Sequence, residues 1–190
     1  MSGKLFLILG PSGSGKGTVI AHLREAFPDA VFPISCTTRT PRQGEKEGDV
    51  YHFITKEEFK SRIERGEFLE WAIVHSDNYY GTLKAPIVQA LEAGKTVIRE
   101  VDMQGVQSIR KILPPEQVVS IFITARSWEN LKERIVKRAT ISEEELAHRK
   151  ASFEREMEFS KECDYVVFSE DGKIPEANEE VERIIRQEII

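Results

Sequence analysis

Apolar residues fall along this chain in two rhythms. Some form short unbroken runs: "LFLIL" from Leu5 to Leu9, "VVSIFI" ending at Ile123 and "DYVVF" ending at Phe168, with "KTVIREV" ending at Val101 as a variant that carries charge. Runs of this length suit strands buried on both faces of a parallel sheet. Other apolar residues recur every three or four positions. Val19, Ile20, Leu23 and Phe27 share one helical face and predict a helix from Lys16 to about Phe27, with Pro28 just beyond. A last helix should begin near Pro175, a favourable first-turn residue, with Val181, Ile184, Ile185 and Ile189 on its inner side. Strands alternating with helices imply right-handed crossovers and a parallel sheet.

Two segments break that alternation. Between residues 31 and 84 the pattern changes to short strands, "VFPIS", "VYHFI" and "FLEWAIV", around one helix capped by Thr55 with Glu58 and ended by Gly66. A small β-rich lobe is expected there. Between residues 127 and 161 two charged helices meet at "ATIS", where Ser142 and Glu145 form a second capping box. A helical lid is expected there. The remainder, about 1–30, 85–126 and 162–190, is the expected core of one domain spanning residues 1–190.

A chain of 190 residues can bury roughly 70% of its unfolded surface without disulfides or metal. A net charge of −5 excludes a broad basic face for nucleic acid, so any polyanion site must be local. Cys36 and Cys163 form no C-x-x-C pair and suit a reducing compartment, while His22, His52, His75 and His148 show no ligand spacing. The N-terminal apolar run is too short for a signal segment or a membrane span, which makes the cytoplasm the expected location. Neither a membrane nor an obligate protein partner is expected.

The chemistry begins where the first strand ends. "GPSGSGKGT", Gly10, Pro11, Ser12, Gly13, Ser14, Gly15, Lys16, Gly17 and Thr18, fits G-x-x-x-x-G-K-[ST] up to its last position. In that pattern glycines turn backbone N–H groups inward around phosphate oxygens, the following helix points its positive end at them, and the lysine reaches the β and γ phosphates. The strand before and the helix after are the context the motif demands. Gly17 stands where most such loops place a hydroxyl on Mg²⁺, and Thr18 comes one place late, so the ion is expected to be held through water or by another carboxylate. The implied fold is α/β, a P-loop NTPase-like three-layer arrangement around a central parallel sheet.

The phosphoryl acceptor is written into the β-rich lobe. "SCTTRTPRQGEKEGDVYHF" sets Arg39 and Arg42 three residues apart with Tyr51 nearby, a group of donors able to clamp a phosphate. "FLEW" presents Glu70, and "NYYGT" presents Tyr80 and Thr82. Together they describe a second anion pocket containing one isolated carboxylate. Farther on, "EVDMQG" puts Glu100 and Asp102 on one face at the end of a strand, where open parallel sheets place their ligands.

With "GPSGSGK", "SCTTRTPR" followed by "GE", "YHF", "FLEW", "YYGT" and "VDMQG" in this order, the chain resembles the guanylate kinases over nearly its whole length. That resemblance implies ATP:GMP phosphotransfer, with ATP as donor and Mg²⁺ as cofactor. It implies that Arg39, Arg42, Tyr51 and Tyr80 hold the GMP phosphate, that Ser35, Glu70 and Thr82 read the base, and that Glu100 and Asp102 order Mg²⁺ waters and touch the acceptor nucleoside. It also implies that Arg134, Arg138 and Arg149, spaced as lid arginines, fold over the transferring group, with Lys16, Arg138 and Arg149 as the catalytic charges. The Glu70 assignment has independent support, because guanine offers one carboxylate two adjacent donors, N1–H and the 2-amino group, and adenine does not.

Two other functions fit parts of the pattern: a noncatalytic phosphopeptide-binding module of the same fold, which need not keep the P-loop lysine, and a kinase for another acceptor such as AMP, which Glu70 disfavours. Several positions depart from the family pattern. "GKGT" resembles adenylate kinases at Gly17, Ala139 and Ile141 replace a glycine and an acid in the lid, Ser169 stands where Asn is common, and Arg99 precedes Glu100 where an apolar residue is usual. Arg99 either faces the cleft or covers the sheet edge.

Overall fold

The computed structural model describes residues 2–42, 44–49, 51–74, 77–138, 141–170 and 173–189. Its core sheet consists of β1 (Leu5–Leu9), β6 (Val97–Glu100), β7 (Val118–Thr124) and β8 (Tyr165–Phe168), all parallel in the order β6-β1-β7-β8. Because side chains alternate along a strand, β1 feeds both faces. Leu5, Leu7 and Leu9 pack with Ile87 and Leu91 of α3 (Lys84–Glu92), Val106 and Ile109 of α4 (Met103–Arg110) and Phe159 at the end of α6 (Glu143–Phe159). On the opposite face Phe6 and Ile8 pack with Val19 and Leu23 of α1 (Lys16–Ala26) and Val181, Ile184 and Ile185 of α7 (Ile174–Glu188). Helices on both faces of a parallel sheet make the three layers that the apolar runs predict.

A second sheet has the order β3-β2-β5-β4, from β2 (Ser35–Thr37), β3 (Tyr51–Phe53), β4 (Phe68–Val74) and β5 (Asn78–Leu83). It packs over α2 (Lys56–Glu64) through Cys36, Phe59 and Phe68, the two phenyl rings stacked with centroids 4.2 Å apart. Gly81 of β5 sits against this cluster, where a Cβ would lie 2.9 Å from Phe59, Phe68 and Trp71 atoms. The expected lid is the pair α5 (Trp128–Arg138) and α6, joined through Leu131, Ile135 and Phe153, with Ile141 packed against them. The departure at Ala139, like His75, lies outside the described residues.

Four local expectations change. Val31 of "VFPIS" pairs with Val97 at the edge of the core sheet, so only the end of that run enters the lobe. The capping hydroxyls of Thr55 and Ser142 accept from the N–H groups of Glu58 and Glu145 at 3.1 and 3.2 Å. The glutamates do not close the boxes, because Arg62 and Arg149 take their carboxylates at 2.7 and 2.9 Å. Ile189, expected inside, is 39% exposed, since α7 ends at Glu188 and its last residue leaves the packed face.

Candidate active site

The glycine-rich loop grows out of β1. Gly10 has φ 137°, and a Cβ there would lie 2.0 Å from the Ile123 carbonyl oxygen of β7. Only glycine lets the chain turn this close to its neighbour strand. Gly13 (φ 92°) and Gly15 (φ 99°) continue the turn, and Gly15 caps α1 with no side chain in the way. Pro11 is buried, whereas Ser12, Gly17 and Thr18 are exposed around the first turn of the helix. The Ser14 hydroxyl is buried with no hydrogen-bond partner. Lys16 donates to the Gly10 and Pro11 carbonyls at 2.7 and 3.0 Å and lies 3.8 Å from Glu100. Burial pushes its ammonium below the ordinary lysine value, and the Glu100 and Glu156 carboxylates oppose that.

One cavity of about 480 Å³ runs from Gly10 and Lys16 to Ser35, Tyr51, Glu70 and Tyr80 of the second sheet, past Glu100 and Asp102. The elements explain the convergence. β6 ends at Glu100 beside the loop, and Asp102 caps α4, accepting the Gly105 N–H at 2.7 Å through Oδ1. That bond commits one Asp102 oxygen to the helix and leaves the other. Among the described residues no group of three or more His, Cys, Asp or Glu side chains stands ready for a metal ion.

In the lobe, Thr82 donates to Glu70 Oε1 at 2.5 Å, and the Ser35 and Thr82 hydroxyls are 3.5 Å apart. Glu70 is not the isolated carboxylate its sequence context suggests, because an Arg99 Nη lies 3.7 Å from Oε1. Arg39 presents a two-pronged bond to Glu45, at 2.9 and 3.0 Å, beside the rings of Tyr51 and Phe53. The same carboxylate accepts the Arg42 backbone N–H at 2.8 Å, and the Arg42 side chain is exposed. Arg39 first, and Arg42 after it, hold the Glu45 carboxyl below the usual carboxylate range.

The helix pair α5 and α6 brings further charge. Arg149 reaches the Ser12 hydroxyl at 3.4 Å while paired with Glu145. Arg134 donates to the Ser169 carbonyl at 2.5 Å and lines a second cavity of about 370 Å³ with Asn130, Ser169 and Glu170. The Arg138 side chain lies outside the described residues. Glu156 also faces the first cavity, and burial pushes its carboxyl above the usual range, opposed by Lys16 and Arg155.

Arg99, Glu45 and Glu156 are the participants that the motif reading leaves without a role. Glu156 carried a signal, since it stands seven residues after Arg149 and so on the same helical face. Glu45 lay within the quoted "GE". Nothing local pointed Arg99 toward Glu70.

A family model described as guanylate kinase matches residues 2–188. The chain is 44% identical over 167 residues to the guanylate kinase of Helicobacter pylori (strain ATCC 700392 / 26695), which covers 88% of this chain and 80% of that one. It is 42% identical over 188 residues to the guanylate kinase of Thermotoga maritima, covering 99% of this chain and 88% of the relative. Its fold superposes on the crystal structure of guanylate kinase from Anaplasma phagocytophilum with a TM-score of 0.73 and 30% identity, over all of this chain and 87% of the other.

Proposed function

This chain belongs to the guanylate kinase family, and from that premise we propose which residues carry each part of its reaction. It is an ATP:GMP phosphotransferase, moving the γ-phosphoryl group of ATP to the phosphate of GMP to give ADP and GDP. The loop from Gly10 to Thr18 holds the donor phosphates, with the positive-φ glycines presenting N–H groups and Lys16 supplying a charge. The buried, unpartnered Ser14 hydroxyl adds a donor to that cradle. Arg134 holds the donor base side, at the second cavity. Arg39, Arg42, Tyr51 and Tyr80 hold the acceptor phosphate, with the planar Arg39 guanidinium held in place by Glu45.

Ser35, Glu70 and Thr82 read guanine. The Glu70 carboxylate accepts N1–H and the 2-amino group together; adenine, with an acceptor at N1, leaves that charge unpaired, which costs a factor of about 10⁴ or more in built hydrogen-bonding sites. No general base is needed, because the GMP phosphate is already largely dianionic near neutral pH, with a second pKa of about 6. Catalysis is then positioning and charge neutralisation by Lys16, Arg138 and Arg149, the arginines arriving as α5 and α6 close as a lid.

The site also fits Mg²⁺. Two carboxylates, Glu100 and the uncommitted oxygen of Asp102, border the cavity of Lys16, and hard oxygen donors in that number suit an ion that keeps its waters and binds mainly to phosphate. Bound there, it would neutralise developing charge on the transferring phosphate. The core, the GMP-binding lobe and the lid act as parts of one domain on small-molecule substrates, with no nucleic acid, membrane or obligate protein partner required. Among the described residues no helix is long and apolar enough to cross a membrane, and we place the enzyme in the cytoplasm.

One observation carries this assignment: Lys16 and Glu70 border the same cavity. Presenting GMP, AMP, CMP and UMP at equal concentration with ATP, and reading ADP release, tests it. GMP should be used far ahead of the others; faster turnover of AMP would mean the base-reading residues are misassigned.

A further inference from the structure

We infer that Arg99 is a positioning residue for guanine recognition, fixing the Glu70 carboxylate and the Ser35 hydroxyl to the core sheet; this rests on the base-reading role proposed for those two groups. Arg99 is the third residue of β6 and stands beside Leu7 of β1, the strand that ends in the phosphate loop. Its side chain leaves the core sheet and crosses to the other one. Nη2 donates to the Ser35 hydroxyl on β2 and lies 3.7 Å from Glu70 Oε1 on β4, while Nη1 donates to the Pro33 carbonyl at 3.3 Å. One planar fork therefore ties three points of the lobe to the rigid sheet carrying the donor socket.

The pair is mostly withdrawn from water, with 19% of the Arg99 side chain and 15% of the Glu70 side chain exposed, so it escapes much of the screening that empties surface ion pairs of effect. Arg99 Nε is buried without a partner. A guanidinium left partly unsatisfied is costly, which argues that the residue is kept for what its other nitrogens hold.

The consequence follows from the chemistry of Glu70. Thr82 donates to Oε1, and Arg99 approaches the same oxygen. Held from two sides, the carboxylate cannot rotate freely about its terminal bond, a torsion that is otherwise broad. Only a carboxylate fixed in plane meets two adjacent donors at once. With Arg99 gone, one hydrogen bond from Thr82 remains, and a two-donor contact suffers more than a one-donor contact.

Inosine 5′-monophosphate is the probe, because it keeps N1–H and lacks the 2-amino group. Steady-state kcat and KM are measured for GMP, inosine monophosphate, AMP and ATP in wild type, Arg99→Met and Arg99→Lys. For Arg99→Met, KM for GMP should rise about tenfold, the scale of one charge-assisted hydrogen bond, with kcat changed far less. KM for ATP should hold, and the preference for GMP over inosine monophosphate should shrink. Arg99→Lys, which keeps the charge without the fork, should fall between. Equal losses on GMP and inosine monophosphate, or a GMP KM and preference within twofold of wild type, would overturn the role. If Arg99→Met fails to fold, Arg99→Lys alone decides by the same preference. A wild type indifferent to GMP or AMP would instead sink the base-reading assignment beneath it, whatever Arg99 does.

Discussion

The two ends of the cleft are built from different material. The proposed donor end is backbone: three glycines at positive φ, a helix N-terminus and one lysine, standing on a sheet covered on both faces. The proposed acceptor end is side chains: Glu70, Thr82 and Ser35 of a small sheet with a core of Cys36, Phe59 and Phe68, linked to Arg99 of the core sheet, and beside them the separate pair of Arg39 and Glu45. Backbone amides recognise charge and leave the rest of a nucleotide unread, whereas a carboxylate fixed by neighbours reads which donors a base carries. On the proposed roles, generic affinity and purine selectivity are carried by separate parts of the protein, and they should fail separately when altered.

The largest expected effect is at the donor end. Lys16→Ala should lower kcat by about 10³-fold or more, roughly 4 kcal/mol of transition-state stabilisation, with circular dichroism and Tm close to wild type and the ranking of acceptors unchanged. A folded variant with near-normal kcat would show the donor site to be elsewhere. Next comes a contrast inside the loop. Gly10→Ala must place a Cβ 2.0 Å from a backbone carbonyl at φ 137°, and should lose about 2–4 kcal/mol of stability in urea unfolding. Gly17→Ala, with nothing within 4 Å of the added carbon, should be neutral or stabilising by up to about 1 kcal/mol. Equal losses at the two positions would mean that the turn is not set by the approach to β7.

The smallest effect concerns the half-buried acid between the two ends. Burial raises the Glu156 carboxyl above its ordinary value, so its neutral form is favoured in the folded protein. That preference is fully present below the ordinary carboxylate pKa and is lost as pH rises through the raised one. Glu156→Gln should therefore match wild type in acid and gain about 1–2 °C in Tm toward neutral pH, a modest figure because solvent still reaches the group. A Tm difference that stays flat or grows in acid would contradict this.

The same division of material explains what could be read from the chain. The core strands were legible because burial on both faces leaves unbroken apolar text, as in "LFLIL", and the glycine turn between β1 and α1 because its parts are contiguous. The lobe hid more. β5 is missing from the strands expected for the lobe, because its "NYYGT" holds a glycine, Gly81, that must be bare against Phe59, Phe68 and Trp71, and its Tyr80 faces the cavity. Helix α3 was masked by Pro86 in its first turn, a position helices tolerate. Arg99 was ambiguous because its partner Ser35 lies 64 residues away, and only the meeting of two sheets brings them together.

The central claim is that Glu70 selects guanine at the far end of the cavity that Lys16 opens. Its most direct test is kcat/KM for GMP and for AMP in wild type and in Glu70→Gln. Wild type should favour GMP by about 10⁴-fold or more, and the variant, with an amide that cannot accept both guanine donors, should lose most of that preference while its KM for ATP stays put. A preference that survives the substitution intact would contradict the account.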